Sequence, residues 1–370
     1  MKVLAIDLTS LADHFSGIER YAASVSLALI SNSSIEYKYI LIFKGEIHES
    51  FVSLKEEKNI SFVVIPRGRG GKLYFSQVRL PCVLRRLEAD LVLFLAFPAP
   101  MLFFGAAVST IHDLSCFDCP ETMTVKSRIL WRVLNAKAVR HDKLIVTISH
   151  FSKSRIVDHF GISEEKVVVA YCGVEKQLFN LDRASSVDLG VLSKKYGLPQ
   201  NYILSLSTIE PRKNLQLLIR AWCNLRIAGD IDCDLVLAGR KGWKIASLLD
   251  NLPDDCLEHI HFTGFVNDED LPALYKGSRL FVFPSIYEGF GLPPVEAVNS
   301  GARVLCSDIP CHREICNTAV SYFVNNDEGS LRREISSILA SENNAVNRSL
   351  EYCWDHAALA IVNHLNILGL

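Results

Sequence analysis

The sequence predicts an α/β protein built from two doubly wound, Rossmann-like domains facing a central cleft. Three observations predict it. The chain has 370 residues, more than the ~250–300 at which a single hydrophobic core stops growing. Short β-branched runs alternate with longer amphipathic ones, the grammar of a mainly parallel sheet covered on both faces. That alternation fades near residues 172–200 and then begins again.

In the first half, strands are expected near 2–8, 38–43, 60–65, 90–96, 105–111, 143–148 and 166–170, with helices near 17–31, 73–88, 124–140 and 150–160. The second half places strands at 202–207, 234–238, 259–262, 280–283, 304–307 and 320–324, with helices over 214–226 and 293–299. The polar, glycine-containing stretch 172–200 has no clear period and is expected to be the linker. A final helix over 345–368 carries Trp354, Leu359, Ile361 and Val362 on an apolar side. The expected division is an N-terminal domain over 1–180, a C-terminal domain over 198–345, and a closing helix over 346–370 that returns to the first domain. In open α/β sheets ligands bind beyond the carboxyl ends of the strands, so motifs at those ends carry the functional argument.

Apolar residues make up 49% and charged residues 22%, with a net charge of −2, so bulk nucleic-acid binding is not expected. The eleven cysteines are scattered, and no leader of secretory type is visible, so reduced core thiols are expected. Cys116-Phe117-Asp118-Cys119 lacks a second pair at zinc-ligand spacing. The apolar run 91–108 is interrupted by Pro98, Pro100 and Gly105, which fits two buried strands better than a membrane span. Asp230/Asp232, Asp232/Asp234 and Asp268/Asp270 form Asp-x-Asp pairs, read as structural, with Asn267 or Asp268 as a helix cap. No metal and no cofactor is expected.

The most informative segment runs from Phe283 to Ala297, FPSIYEGFGLPPVEA. A strand breaks at Gly289 and Gly291 and enters a helix with prolines in its first turn, where a missing N–H does little harm. Glu288 falls on the turn, and Glu296 about one turn into the helix. Carboxylates accept paired sugar hydroxyls, while glycine N–H groups and a helix N-terminus suit a diphosphate. The plainer alternative is a glycine turn with acids complementing the helix dipole. Upstream, Ser207-Thr208-Ile209-Glu210-Pro211-Arg212-Lys213-Asn214 leaves a strand and opens a helix. Two cations at a helix N-terminus oppose the dipole, so either an anionic ligand or simple solvation explains Arg212 and Lys213.

Glu288 and Glu296, with seven residues between them in E-G-F-G-L-P-x-x-E, resemble the E-x7-E element of retaining glycosyltransferases of GT-B fold, family 4. The similarity covers nearly the whole chain. Glu210-Pro211-Arg212-Lys213-Asn214 is similar to a branch common among mannosyltransferase-like enzymes of surface-polysaccharide and O-antigen assembly. Many members carry Gly-Arg where this chain has Ser207-Thr208; the lysine is kept as Lys213. The resemblance implies that Glu288 lies by the donor sugar, Glu296 binds the ribose, and Lys213 and Arg212 meet the diphosphate. It further implies donor contacts at Gly17, Thr208, Gly239, Gly264, Phe265, Val266, Gly289, Phe290, Gly291 and Leu292, those near the base chiefly through backbone. His112, in Thr110-Ile111-His112-Asp113 at a strand end, resembles the family histidine that reaches the transferred sugar, although a satisfied turn fits equally. Ser149 is expected to cap the following helix.

The resemblance implies metal-independent transfer of a hexose, mannose from GDP-mannose above others, to a saccharide or lipid-linked oligosaccharide. It implies a cytoplasmic enzyme, with peripheral contact at the inner membrane. Arg67-Gly68-Arg69-Gly70-Gly71-Lys72, Arg79, Arg85 and Arg86 beside Leu73, Tyr74, Phe75 and Leu80 could serve that contact or form a solvated face. Gly289-x-Gly291 lacks the third glycine of a dinucleotide fingerprint, and Gly71-Lys72 is no phosphate-binding P-loop. Two alternatives stand beside transfer: a sugar-nucleotide epimerase of related fold, and a non-catalytic nucleotide-sugar-binding partner.

Overall fold

The computed structural model describes residues 2–12, 15–32, 37–68, 71–240, 248–250, 252–341 and 349–369. The chain divides into two units, Met1–Gly173 with Tyr352–Leu370, and Val174–Glu351.

The first unit contains β1 (Val3–Asp7), α1 (Gly17–Asn32), β2 (Lys38–Lys44), β3 (Ile60–Ile65), α2 (Lys72–Tyr74), α3 (Leu80–Leu84), β4 (Leu91–Phe94), β5 (Ala107–Thr110), α4 (Ser115–Asp118), α5 (Val125–His141), β6 (Leu144–Thr147), α6 (His150–Phe160) and β7 (Val167–Val169). Its seven-stranded parallel sheet has the order β3-β2-β1-β4-β5-β6-β7. Apolar residues such as Ala5, Ile42, Val92 and Phe94 are buried against α3, and Ile145 and Val167 against α5 and α6. Continuous burial along β4, β5 and β6 explains why these strands lack alternation in sequence. Ser149 caps α6 by accepting from Ser152 N at 3.0 Å, as expected.

The second unit contains α7 (Leu181–Ser186), α8 (Leu189–Tyr196), β8 (Tyr202–Leu206), α9 (Leu215–Ile227), β9 (Asp234–Ala238), α10 (Asp254–Leu257), β10 (Ile260–Gly264), α11 (Leu271–Gly277), β11 (Leu280–Phe283), α12 (Leu292–Asn299), β12 (Val304–Asp308), α13 (Pro310–Cys316), β13 (Ser321–Val324) and α14 (Glu328–Ala340). Its parallel sheet has the order β10-β9-β8-β11-β12-β13. Trp222 of α9 anchors the core, fully buried with its indole N–H donated to Cys233 O at 2.9 Å. The last helix, α15 (Trp354–Ile367), belongs to the first unit and packs on α1.

Several expectations are corrected. The aperiodic stretch 172–200 contains α7 and α8, capped by Asn180 and Asp188, so local caps made helices where hydrophobic periodicity was weak. The helix expected over 73–88 is interrupted by a π-type turn at Phe75–Arg79. Leu359 of α15 is exposed, whereas Ile361 is buried. Cys223 and Cys256 form a disulfide between α9 and α10, which scattered spacing in the chain did not reveal. Asn267 occupies a cap position but makes no side-chain cap bond. Asp270 instead meets Lys195 and Tyr196, each at 2.7 Å. Asp234 is held by His259 at 2.9 Å and His261 at 2.8 Å. Among the described residues no cluster of three His, Cys, Asp or Glu side chains is arranged to hold a metal, and no helix is long and apolar enough to cross a membrane. Burial pushes the Cys116 thiol up to about 12, the behaviour of a protonated core thiol.

Candidate functional site

In the second unit, the carboxyl ends of β8 and β11 lie side by side where the strand order reverses. Such a switch point leaves a crevice above the sheet. Chain leaving β8 makes a tight turn at Pro211–Lys213, and Asn214 then takes a left-handed conformation (φ 52°) before α9 starts. Arg212 and Lys213 therefore do not open the α-helix, as the sequence led one to expect. They stand on a separate turn ahead of it, aimed at the chain leaving β11.

There they meet Glu288. Lys213 Nζ is 2.6 Å from Glu288 Oε1, and Arg212 Nη1 is 3.3 Å from Oε2. Arg212 also donates to Tyr287 O at 3.2 Å and pairs with Glu210 at 3.2 Å. Ile286 N donates to Arg212 O at 3.0 Å, tying the two turns together through backbone. Glu288 is only 6% exposed. Burial pushes its carboxyl up, but the charges of Lys213 and Arg212 outweigh that and hold it at about 2. The cations thus answer to a carboxylate within the protein, a partner that neither motif disclosed.

Gly291, at φ 91°, turns the chain into α12, whose first turn carries Pro293 and Pro294. Only a residue without a Cβ enters that region at no cost. The N–H groups of a helix's first turn lack intrahelical acceptors, which makes this corner favourable to anions. Glu296 is buried on α12 and accepts from Tyr275 Oη at 3.0 Å. Gly289 is buried and Leu292 partly so. The Phe290 side chain is buried in the core and its carbonyl accepts from Cys311 Sγ at 3.3 Å, so only backbone remains for a ligand there.

The chain segments leaving β8, β9 and β10 form one rim. Gly239 N donates to Gly264 O at 2.8 Å, and Ile209 N donates to Arg240 O at 3.0 Å. Thr208 is exposed beside them, Val266 is buried, and Arg240 stacks over Phe265 at 5.1 Å. Lys241 and Gly242, from the same predicted loop, lie outside the described residues.

In the first unit, His112 follows β5 and is half-buried. Its Nε2 donates to Ala96 O at 3.1 Å, and burial holds its ring down at about 4, so it is neutral. Gly17 is exposed at the start of α1. A cavity of about 1130 Å³ opens over β1–β4, lined by Asp7, Lys44, Glu46, Arg67, Phe97 and Trp131 among others. Mixed charges beside aromatic faces suit a hydroxyl-rich ligand. Its walls come from the loops after β1 to β4 and from α1, α2, α3 and α5, and they include Arg67, Lys72, Leu73, Phe75 and Leu80 of the basic stretch singled out in the sequence.

Residues that motif reasoning missed include Tyr275, Ser307 and His312. They sit on elements with no motif of their own and act by contact with predicted residues.

Residues 15–178 match the family described as Glycosyltransferase Family 4, and residues 192–351 match Glycosyl transferases group 1. O-antigen chain mannosyltransferase B of Escherichia coli is 31% identical over 271 residues, covering 71% of this chain and 70% of that protein. Serotype-specific mannosyltransferase WbdA of Escherichia coli is 32% identical over 235 residues, 61% of this chain but only 28% of its own length. The Anabaena protein HepE, solved in complex with UDP and glucose, superposes with a TM-score of 0.65 at 18% identity, covering 99% of this chain and 95% of that one. With both halves matched and a relative above 30% identity spanned over most of its length, the chain belongs to glycosyltransferase family 4, has the GT-B fold, and is a glycosyltransferase.

Proposed function

We propose that the chain moves mannose from GDP-mannose to a saccharide acceptor of bacterial surface-polysaccharide synthesis, with retention at the anomeric carbon and without a metal. The observation that carries the reading is the Lys213–Glu288–Arg212 cluster at the switch point, beside the N-terminus of α12. The bond from the anomeric carbon to the diphosphate oxygen breaks and a bond to the acceptor oxygen forms. The acceptor's proton passes to the departing phosphate oxygen. Lys213, Arg212 and backbone N–H groups stabilise the developing phosphate charge, because preorganised donors in a dry site cost no reorganisation during the step. Glu288 and His112 hold the hexose, and Glu296 takes the ribose. Gly17, Thr208, Gly239 and Gly264, with the backbone of 265–266 and 289–292, line the donor. The mannose assignment is supported by the names of the relatives, and the saccharide acceptor by the mixed polar and aromatic cavity of the first unit.

Calorimetric titration with GDP, UDP and dTDP, with and without EDTA, tests this, repeated on Glu296→Ala. GDP binding that resists EDTA and weakens in the variant is expected. A requirement for divalent metal, or no nucleotide binding, overturns the reading. Proton NMR of the product's anomeric signal then decides retention.

A second feature favours contact with the cytoplasmic face of an anionic membrane. Leu73, Tyr74, Leu102 and Phe104 are exposed, Phe104 by 70%. Arg85 donates to Leu102 O at 2.6 Å, and Gln77 accepts from Met101 N at 2.9 Å, so the loop and α2–α3 share one surface. Arg69 and Gly70 of the basic stretch lie outside the described residues, and Arg67 pairs with Glu46 at 2.8 Å. Sedimentation with phosphatidylglycerol vesicles should decline in Phe104→Ser, while unchanged binding rejects the contact.

A further inference from the structure

The first sheet has a switch point of its own. Its strand order reverses between β1 and β4, and ligands of such sheets bind beyond the carboxyl ends that border the reversal. The open cavity of the first unit lies there, and Asp7, the last residue of β1, lines it and is partly exposed. Asp7 Oδ1 accepts from Thr9 N at 3.0 Å and from Thr9 Oγ1 at 2.7 Å, in the turn that leads the chain out of the strand. Oδ2 accepts no hydrogen bond among the described residues. Burial raises the carboxyl above its ordinary value, outweighing the two Thr9 bonds. The turn therefore uses one oxygen and leaves the other without a donor from the protein.

Neighbouring groups fix what that donor must be. Ala5 and Ile42 pack in one core against α3, and Asp7 and Lys44 each follow by two residues, so strand alternation puts both on that face. Lys44 Nζ lies 4.4 Å from the centre of the Phe75 ring and has no carboxylate partner among the described residues. Arg67 is occupied by Glu46 at 2.8 Å, and Glu19 accepts from Ser16 N at 2.6 Å. From α5, the half-buried Trp131 ring meets Phe97 at 5.4 Å, and Phe97 is itself exposed.

An anion, a cation and an aromatic face are thus left for a ligand. A phosphate would satisfy Lys44 but meet the charge of Asp7, and an apolar ligand would satisfy neither. A neutral pyranose suits all three, because hydroxyls both donate and accept while the C–H face of the ring packs on an aromatic one. We propose that Asp7 is a specificity residue of the acceptor site, its Oδ2 accepting a hydrogen bond from a hydroxyl of a neutral pyranose seated against Trp131. The inference rests on the acceptor reading given above, and it assigns the choice of sugar to a carboxylate outside the motifs of the donor side.

Saturation-transfer NMR with methyl α-D-mannopyranoside, in the absence of nucleotide, tests this on wild type and Asp7→Asn. Asparagine keeps an oxygen for the Thr9 bonds and puts an amide donor in place of Oδ2. Wild type should bind the glycoside and the variant should bind it roughly tenfold more weakly, with GDP affinity unchanged by calorimetry. Monodeoxy analogues then report direct contact. Removing one particular hydroxyl should weaken binding to wild type and leave the variant unaffected, the signature of a coupled pair. No binding to wild type, or equal losses for every analogue in both proteins, overturns the proposal. Tighter binding of a mannose phosphate than of the neutral glycoside overturns it too. Should the variant not fold, wild type labelled with ¹³C-aspartate answers instead. The Asp7 carboxyl resonance should move on adding the glycoside, and an unmoved resonance overturns the proposal. Absence of GDP binding beside intact glycoside binding would defeat the transferase reading and leave the sugar site. GDP binding without glycoside binding removes the role of Asp7 alone.

Discussion

Lys213 Nζ sits 2.6 Å from Glu288 Oε1, joining two turns 75 residues apart at the switch point of the second sheet. With side chains only 13% and 7% exposed, the pair is weakly screened by water. A buried pair of this kind is held for geometry as much as for stability, since removing one partner strands the other.

Replacing Lys213 by methionine keeps much of the side-chain volume and removes the charge. Transfer should fall by about 10²–10³-fold in kcat, the usual effect of deleting one preorganised electrostatic donor. Steady-state kinetics with GDP-mannose measures this. A variant within a factor of about three of wild type would place Lys213 outside the chemistry.

Stability below neutral pH should carry the signature of Glu288. Its folded value, about 2, lies below the ordinary 4.5, so its contribution is complete above 4.5 and fades as pH falls towards 2. Chemical denaturation of wild type and Glu288→Gln across this range should show a gap that narrows with acid. A gap independent of pH would mean that the carboxylate is not held by the two cations.

His112 should also cost stability on acidification, in a higher pH window. Its folded value of about 4 lies below the ordinary 6.5, so the unfolded chain takes up a proton first. The contribution is therefore complete above 6.5 and is lost between 6.5 and 4. Histidine-selective NMR should find the ring still neutral at pH 5. Titration near 6.5 would show that the ring is solvated and not held against Ala96.

Gly239 is the position least tolerant of a side chain on the rim formed by the ends of β8, β9 and β10. It lies at φ 124°, and a Cβ would come within 2.0 Å of Ser207 O. Gly239→Ala should cost about 1–3 kcal/mol from backbone conformation alone, with the collision added. It should also weaken GDP binding by displacing the Thr208 turn. Urea unfolding and calorimetry read the two effects, and an unperturbed variant would show that the rim relaxes freely.

The chain's own pattern determined a great deal. Repeated β-branched runs separated by amphipathic helices imply parallel sheets, because a strand buried on both faces must be apolar throughout and a crossover helix must be apolar on one face. The same local logic located Glu288, Gly291 and Glu296 at a strand-to-helix junction, since glycine and proline act on the backbone where they stand. Weak periodicity hid α7 and α8, whose starts depend on the Asn180 and Asp188 caps. Tertiary structure alone decided that Arg212 and Lys213 answer to Glu288, that Cys223 meets Cys256, and that Asp7 and Trp131 line one cavity. Each of these joins segments that are distant in sequence. Hydrophobic periodicity reports the conformation of one segment, whereas charge pairing and burial arise only when separate segments are packed against each other.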